Sequence, residues 1–264
     1  MKLRASKRSP SPGCWNAYGV GMLRHSLPLV IVIAFSLAGF AQTSYPSEHL
    51  EYREYEVSLF GGTSFSSKFQ FPTPVHGSDQ EVSRTVGLQY AAGPQVGVRV
   101  TQNVNDFWSS DLEYSFANQK VSFTNISPSI QNLSLTQYTH NFSYNVSFMP
   151  LPRTKRFRPY ADIGIGTALF YISKPSKEEA LDLGLKLRDS WKFIGNVGGG
   201  FKYLIQDQFA VAVDLKDRVS LVPSYGIPVS ATVGGGQYQP GISLHGLMHN
   251  WQLNVGVNFQ WDEW

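Results

Sequence analysis

Eight ionisable residues stand inside segments in which every second residue is apolar. Each one falls in the polar phase of its segment, and side chains two residues apart on a strand point to the same face. The eight side chains would therefore share the inner face of one sheet. Opposite charges that face each other in a confined space neutralise each other, which predicts an ion-paired polar interior. These residues are Arg99, Asp111, Glu113, Asp162, Lys192, Lys202, Asp214 and Lys216.

Two pairings within this set follow from the expected connections. A short turn near residue 105 would set Arg99 opposite Asp111. Asp162 would meet either Lys202 or Lys192, and the choice depends on the strand register, which the alternation alone leaves open. Either partner would neutralise the carboxylate.

Residue types that perform nucleophilic chemistry are present but do not combine into a site. His140 lies three residues before Ser143, and residues three apart on a strand point to opposite faces. We interpret His140 as an interfacial aromatic residue beside Tyr138. The one cysteine, Cys14, falls in a segment expected to be removed. We therefore predict no catalytic residue, no metal and no cofactor, and the net charge of +3 is too small to indicate a nucleic-acid partner.

The element that must position these residues is a β-strand with one apolar face. Between Gln137 and Phe148, aromatic and aliphatic side chains alternate with small polar ones at every position. A strand between lipid and a watery lumen needs this pattern. Eight such segments predict an all-β fold, an eight-stranded antiparallel up-and-down transmembrane β-barrel. The other seven segments lie at residues 55–59, 95–101, 108–116, 162–171, 192–203, 209–216 and 251–261.

The connections between these segments alternate in length. Membrane barrels have short periplasmic turns and long outer loops. Eight strands that start and end on the periplasmic side need four loops and three turns, which is the number that the sequence provides. The long connections are residues 66–88, 119–134, 174–190 and 219–247, and the short ones are residues 102–106, 149–158 and 204–208.

The connection over residues 174–190 has two interpretations. Ser176 and Glu179 have the spacing of a capping box, which indicates the start of a helix. Leucines at every second position from Leu181 to Leu187 are in phase with Trp191, which instead favours a strand that continues above the membrane as a hairpin. Both interpretations stay open at this stage.

An export signal precedes the alternating segments. Residues 27–40 form an apolar core that is too short to span a bilayer as a helix. Gly39 and Ala41 provide the small residues that signal peptidase requires. We predict a cleavable signal peptide over residues 1–41, and Met22 is an alternative start for it.

The rest of the chain divides into two predicted parts. Residues 42–51 would form a periplasmic N-terminal linker, and residues 52–264 would form the barrel. Because the signal directs export, we expect the mature protein in the bacterial outer membrane.

The C-terminal strand is the most specific feature of the mature chain. Through this strand and the eight-segment topology, residues 52–264 resemble the small outer-membrane β-barrels of the OmpA and OmpX type. The resemblance implies contact with outer-membrane lipids and recognition of the last strand by the barrel assembly machinery. The chain continues past Trp261 to Trp264, so either residue could provide the terminal aromatic of that signal. The alternating residues of the signal are Trp251, Leu253, Val255, Val257, Phe259 and Trp261.

These features predict a non-enzymatic integral outer-membrane protein, structural or weakly porin-like, with a largely ion-paired polar lumen. An eight-stranded barrel is only just wide enough for side chains to fill it, which favours a plug over a narrow ion channel. Two other functions remain open. One is surface adhesion or ligand binding through the outer loops, with an unknown extracellular ligand, and the other is hydrolysis or acyl transfer on outer-membrane lipids.

Overall fold

The computed structural model describes residues 51–76, 82–127, 130–234 and 237–262. The predicted signal peptide over residues 1–41, and residues 42–50 of the predicted linker, lie outside these ranges. The described residues form twelve strands in one sheet and one helix, α1 (Lys174–Asp182). The strands are β1 (Tyr55–Ser66), β2 (Lys68–His76), β3 (Val82–Tyr90), β4 (Gly93–Asn103), β5 (Trp108–Thr124), β6 (Asn132–Phe148), β7 (Phe157–Ile172), β8 (Ser190–Gln206), β9 (Phe209–Leu221), β10 (Ala231–Gly234), β11 (Gln237–Gln239) and β12 (Leu247–Trp261).

Eight of these strands close into a barrel in which all neighbours are antiparallel. The order around the wall is β1-β4-β5-β6-β7-β8-β9-β12, and β12 pairs again with β1. The β1–β12 seam runs from Tyr55 opposite Trp261 to Ser66 opposite Asn250. Closure pairs every barrel strand on both sides, which a sheet in lipid requires because no water can satisfy its backbone groups. The predicted eight-stranded antiparallel up-and-down β-barrel is confirmed.

The side chains of the wall alternate between an apolar outside and a polar inside. On β12, Val255 and Val257 are exposed, whereas Asn254 and Asn258 are completely buried. On β8, Phe193 is 86% exposed on the outer face. An aromatic side chain so exposed is unfavourable in water but is stabilised against acyl chains.

The two ends of the barrel differ in their connections. At one end, which we call the turn end, residues 104–107, 149–156 and 207–208 join the strands. At the other end, the loop end, the four long connections are more structured than the sequence indicated. β2 and β3 form a hairpin that begins in the predicted loop 66–88 and ends two residues beyond it, and β3 pairs with the upper part of β5. β10 adds to β2 as a short parallel strand, so the sheet continues beyond the barrel rim.

The connection between β7 and β8 contains helix α1 rather than a hairpin. The Ser173 hydroxyl accepts a hydrogen bond from the backbone N–H of Ser176, and a proline occupies the first turn, both of which favour a helix start. The N-cap residue is therefore Ser173, three residues before the Ser176 of the predicted capping box. The alternative hairpin is wrong, because Leu185 and Leu187 are buried after the helix instead of continuing a strand. Among the described residues, no helix is long and apolar enough to cross a membrane.

The connections at the loop end enclose an apolar cluster that we call the outer cap. Burial of apolar side chains from several loops holds these connections together above the rim. Its buried members include Phe71, Val86, Leu88, Tyr90, Val121, Phe123, Ile126, Ile130, Leu133, Leu135, Ile172, Ala180, Leu185, Leu187, Val222, Tyr225, Ile227, Ile242 and Met248.

Candidate functional site: the barrel interior

A carboxylate at the middle of the lumen binds three cations from two other strands. Glu113 on β5 accepts hydrogen bonds from Arg99 Nε on β4 at 2.8 Å and from Lys216 Nζ on β9 at 2.8 Å. Arg218 on β9 donates a third, short bond to the other carboxylate oxygen. All four side chains are buried. A buried carboxylate in this position is satisfied by charge-assisted hydrogen bonds rather than by water.

The cations around Glu113 also reach acids on other parts of the wall. The Nη2 of Arg99 lies 3.1 Å from Asp214 Oδ2 on β9, and its Nε lies 3.8 Å from Asp111 Oδ1. Lys216 Nζ lies 2.7 Å from Asp162 Oδ2 on β7. The contacts between β4 and β9 cross the lumen, because these strands are not neighbours in the sheet.

A second ion pair lies closer to the turn end. Lys202 Nζ on β8 is 2.8 Å from Glu56 Oε2 on β1. The side-chain amides of Asn103 and Asn258 donate to the two oxygens of Glu56 at 2.6 Å and 2.9 Å. Polar amides thus complete the hydrogen bonding around the pair, as a buried charge requires.

The buried charges of the interior balance. Among the described residues that face the lumen, five buried acids stand against five buried bases. The acids are Glu56, Asp111, Glu113, Asp162 and Asp214, and the bases are Arg99, Arg158, Lys202, Lys216 and Arg218. The fully buried part of the lumen therefore carries no net fixed charge that would attract mobile ions of one sign.

The predicted pairings differ from the observed ones. Arg99 stands directly opposite Glu113, and Asp111 stands opposite Thr101, so the predicted register is wrong by two residues. Asp162 pairs with Lys216, not with Lys202 or Lys192. By its register opposite Ala168, Lys192 lies in the inward phase at the upper end of β8, but it is only half-buried and makes no ion pair with the described residues.

Three charges of the interior were not among the predicted residues, although the sequence carries a signal for two of them. Glu56 lies in the polar phase of the first segment, between Tyr55 and Val57. Arg218 continues the inward phase of Lys216 by two residues. Arg158 lies in a stretch that the sequence assigned to a turn.

The segment before β1 packs at the turn end of the lumen. Tyr52 is 1% exposed and packs with Leu204 and Ala210. Its hydroxyl donates to the carbonyl oxygen of Arg156 at 2.9 Å, and burial raises its pKa, so the phenol stays neutral. The Arg158 guanidinium stacks on the Tyr52 ring, with its central carbon 5.0 Å from the ring centroid.

A tyrosine from the connection after β9 is buried at the loop end of the lumen. Tyr225 is fully buried, and its backbone has a positive φ of 51°. Its hydroxyl donates a short hydrogen bond to Gln137 on β6 and lies 3.0 Å from the Tyr90 hydroxyl. Burial raises the pKa of both phenols, so they act as neutral hydrogen-bonding groups.

Two histidines lie on the outer face of the wall near the loop end. His140 Nδ1 is 2.9 Å from the Tyr114 hydroxyl, whereas Ser143 is buried on the lumen face. His140 and Ser143 thus form no nucleophile–base pair. His249 Nδ1 is 2.7 Å from Asp217 Oδ2. Within the described ranges, no group of three or more His, Cys, Asp or Glu side chains could hold a metal ion.

A closed antiparallel barrel with an apolar outer wall and a charged, hydrogen-bonded interior is the architecture of integral membrane β-barrel proteins. The family comparison agrees with this class. The chain belongs to the outer membrane protein beta-barrel domain family, whose model matches residues 30–259. The protein is therefore an integral outer-membrane protein whose wall contacts lipid, and its turn end faces the periplasm.

Solved structures with a similar fold are small outer-membrane barrels. OprG from Pseudomonas aeruginosa aligns over 82% of this chain and 100% of its own, with 15% sequence identity and a TM-score of 0.51. AlkL, solved in DMPC bilayers, aligns over 83% and 96%, with 11% identity and a TM-score of 0.45. Neisserial surface protein A aligns over 78% and 97%, with 11% identity and a TM-score of 0.41. No curated protein sequence matches the chain.

Proposed function

We propose that the protein is a structural barrel whose lumen is closed to ions and solutes. The observation that carries this proposal is the balanced set of five buried acids and five buried bases, nine of which form ion pairs with one another. An ion that entered would have to separate charge pairs that stabilise each other in a water-poor interior. Tyr52 at one end and Tyr225 at the other close the path on both sides of this network.

Planar-bilayer recording tests this function directly. The purified, folded protein should produce no steady conductance steps, because the charged network leaves no continuous water path. A folded control is essential, so each sample is first checked for heat-modifiable gel mobility, which reports an intact barrel. Steady ion-selective steps from samples that pass this check would refute the closed lumen and support a narrow porin.

A second candidate function is binding at the cell surface through the outer cap. The observation that favours it is the degree of order at the loop end, where the β2–β3 hairpin, β10 and α1 form a folded layer. Mobile loops would be sufficient to cover the lumen. A rigid layer, in contrast, keeps a fixed surface that a ligand can recognise. Binding experiments with cells or purified protein would identify the ligand.

Removal of the hairpin separates the two functions. A variant in which a short glycine linker replaces Lys68–Tyr90 keeps all eight barrel strands. If the cap binds a surface ligand, cells that carry this variant should lose adhesion while heat-modifiable mobility of the barrel persists. Unchanged adhesion by a folded variant would remove the hairpin from the binding surface.

We also propose that the last strand acts as the assembly signal. The side chains of Trp251, Leu253, Val255, Val257, Phe259 and Trp261 alternate along the outer face of β12. Trp261 pairs with Tyr55 at the periplasmic end of the seam, and the two rings stack with centroids 6.1 Å apart. This position favours Trp261 as the terminal aromatic, and a Trp261→Ala variant should accumulate unfolded in the periplasm.

A further inference from the structure

The sheet that continues above the barrel rim has an outward face made of polar residues. On β2, β3 and the upper parts of β5 and β6, one phase of the alternation points toward the outer cap, and the other phase is exposed or half-buried. We call the second phase the polar face, which comprises every second residue over 68–74, 83–89, 118–124 and 132–136. Its side chains are amides, hydroxyls, two lysines, two prolines and one glycine, and none of these described positions carries an acid.

The polar face rises above the lipid layer. Phe116, Tyr138 and Tyr171 stack side by side on the outer wall, and rows of aromatic residues mark the membrane interface of a barrel. Asn118 stands opposite Tyr138, so the polar face begins at this level. Ser122 lies four residues further along β5, which is about 13 Å along the strand and about 10 Å in height at the usual tilt. The headgroup region of a bilayer is only about 5–8 Å thick on each side, so most of the polar face meets the aqueous medium.

Charge is segregated at the loop end. Lys68 and Lys120 are exposed on the polar face, and neither forms an ion pair within the described part of the chain. The acids of the described loop-end connections lie instead over residues 174–190, where Asp189 pairs with Lys177 at 2.8 Å. A surface with cations and no anions is complementary to a negatively charged ligand.

The remaining side chains of the polar face suit a ligand rich in hydroxyl groups. Register places Lys68 opposite Gln89, Gln89 opposite Ser122, and Ser122 opposite Ser134, so one polar row crosses four strands over about 14 Å. Amides and hydroxyls both donate and accept hydrogen bonds. No large exposed apolar side chain lies on the described positions of this face, and protein partners commonly need such an anchor. The chemistry therefore favours a carbohydrate over a protein.

We propose that the polar face binds an acidic polysaccharide. Its sulfate or carboxylate groups pair with Lys68 and Lys120, whose Cα atoms are about 12 Å apart by two inter-strand spacings and two residue rises. Its sugar hydroxyls exchange hydrogen bonds with the amides and hydroxyls between the two lysines, such as Gln89 and Ser122. This inference rests on the second candidate function, binding through the outer cap, and names the class of ligand. It does not depend on whether the lumen conducts.

Binding of three matched polymers tests the proposal. The folded protein in phosphatidylcholine nanodiscs is titrated with dextran sulfate, carboxymethyl dextran and uncharged dextran of equal length. We expect the two charged polymers to bind at about 50 mM salt and to weaken strongly at about 500 mM, because exposed charge pairs are screened. Uncharged dextran should bind far more weakly. Absence of binding by both charged polymers, or equal binding by uncharged dextran, would overturn the proposal.

Variants distinguish the polar face from general electrostatic attraction. Lys68→Gln combined with Lys120→Gln should weaken dextran sulfate binding about five- to tenfold, the factor for two exposed charge pairs. The matched control is Lys186→Gln combined with Arg188→Gln, which removes the same charge from exposed positions at the same end but outside the polar face. Gln89→Glu, which adds a negative charge between the two lysines at nearly constant volume, should also weaken binding. Equal losses in the two double variants would refute a site on this face.

Two further outcomes separate this proposal from its alternatives. If replacement of Lys68–Tyr90 by the glycine linker abolishes adhesion while the wild-type protein binds no charged dextran, surface binding stands and the ligand class is wrong. If lipopolysaccharide in the nanodiscs abolishes dextran sulfate binding by the wild-type protein, lipid headgroups cover the polar face, which also overturns the proposal.

Discussion

At the scale of single residues, Glu113 shows that the alternation along a strand predicts which face a side chain occupies but not which residues it contacts. Its place in the alternation puts it inside the barrel, but its partners Arg99, Lys216 and Arg218 come from two strands, one of them across the lumen. Three cations around one carboxylate would repel each other without it. The charge of Glu113 therefore holds the centre of the network together.

Glu113→Gln should destabilise the barrel by about 3–5 kcal/mol, because it leaves buried cations without their shared counter-ion. Urea unfolding of the refolded protein in lipid vesicles measures this change. The matched control is Glu178→Gln on α1, where the partner Lys174 is 3.9 Å away and both side chains are exposed, so the expected effect is below about 1 kcal/mol. Equal unfolding midpoints for the two variants would contradict the central role of Glu113.

The buried phenols of Tyr90 and Tyr225 make the outer cap sensitive to alkaline pH. Burial raises their pKa in the folded protein, so the folded state holds protons that the unfolded cap would release. Their contribution to stability is fully present below a pH of about 10, the pKa of a free tyrosine, and is lost as the pH rises through the folded values.

Limited proteolysis across an alkaline pH series tests whether the outer cap loses stability as the pH rises. Cleavage between residues 222 and 230 should accelerate only above a pH of about 10. In Tyr225→Phe the acceptor on Gln137 loses its donor, so cleavage should be faster at neutral pH and depend less on alkali. A cap that opens below pH 8 in the wild type would be incompatible with buried neutral phenols.

At the scale of elements, helix α1 is fastened to the rim by two serines. Ser173 caps the helix, and its backbone N–H donates to the carbonyl oxygen of Thr136 on β6 at 2.9 Å. The Ser176 hydroxyl accepts from the Thr136 N–H at 2.9 Å. The helix is thus tied to one position on one strand, and its stability depends on these few bonds.

Ser173→Ala should weaken α1 by about 1 kcal/mol, the usual value of an N-cap. Hydrogen exchange should then become about fivefold faster in Lys174–Asp182 and stay unchanged in the lower half of β6. Ser83→Ala on the exposed side of β3 provides the control, since Ser83 has no such role. Uniform acceleration throughout the barrel would mean that α1 does not open as a separate unit.

The sequence predicted the strands of the barrel wall because lipid on one side and polar groups on the other impose a period of two. It could not predict which charges meet. A shift of two residues keeps Asp111 on the same face but changes its partner, and Asp162 reaches Lys216 two strands away. The outer cap was also missed, because its apolar residues come from the loop-end parts of several strands and from the connections between them, most of which the sequence assigned to loops.

At the scale of the whole molecule, the closed lumen that we propose predicts a polar interior that water-soluble reagents do not reach. A cysteine in place of Asn254 on the inner face of β12 should resist a water-soluble thiol reagent in intact membranes. A cysteine in place of Val255 should resist it as well, since it faces lipid. A cysteine in place of Glu178 on the exposed helix is the reactive control. Rapid labelling at position 254 alone would indicate an open aqueous path.

The β1–β12 seam has a consequence for how the protein is made. It joins Tyr55 to Trp261, so the ring of hydrogen bonds stays incomplete until the last strand arrives. A chain that lacks β12 would expose bare peptide groups of β1 and β9 to hydrocarbon, where nothing can solvate them. Partial barrels are therefore unstable in the bilayer. Truncation or damage near the end of the chain removes the entire protein from the membrane rather than producing a shorter working version.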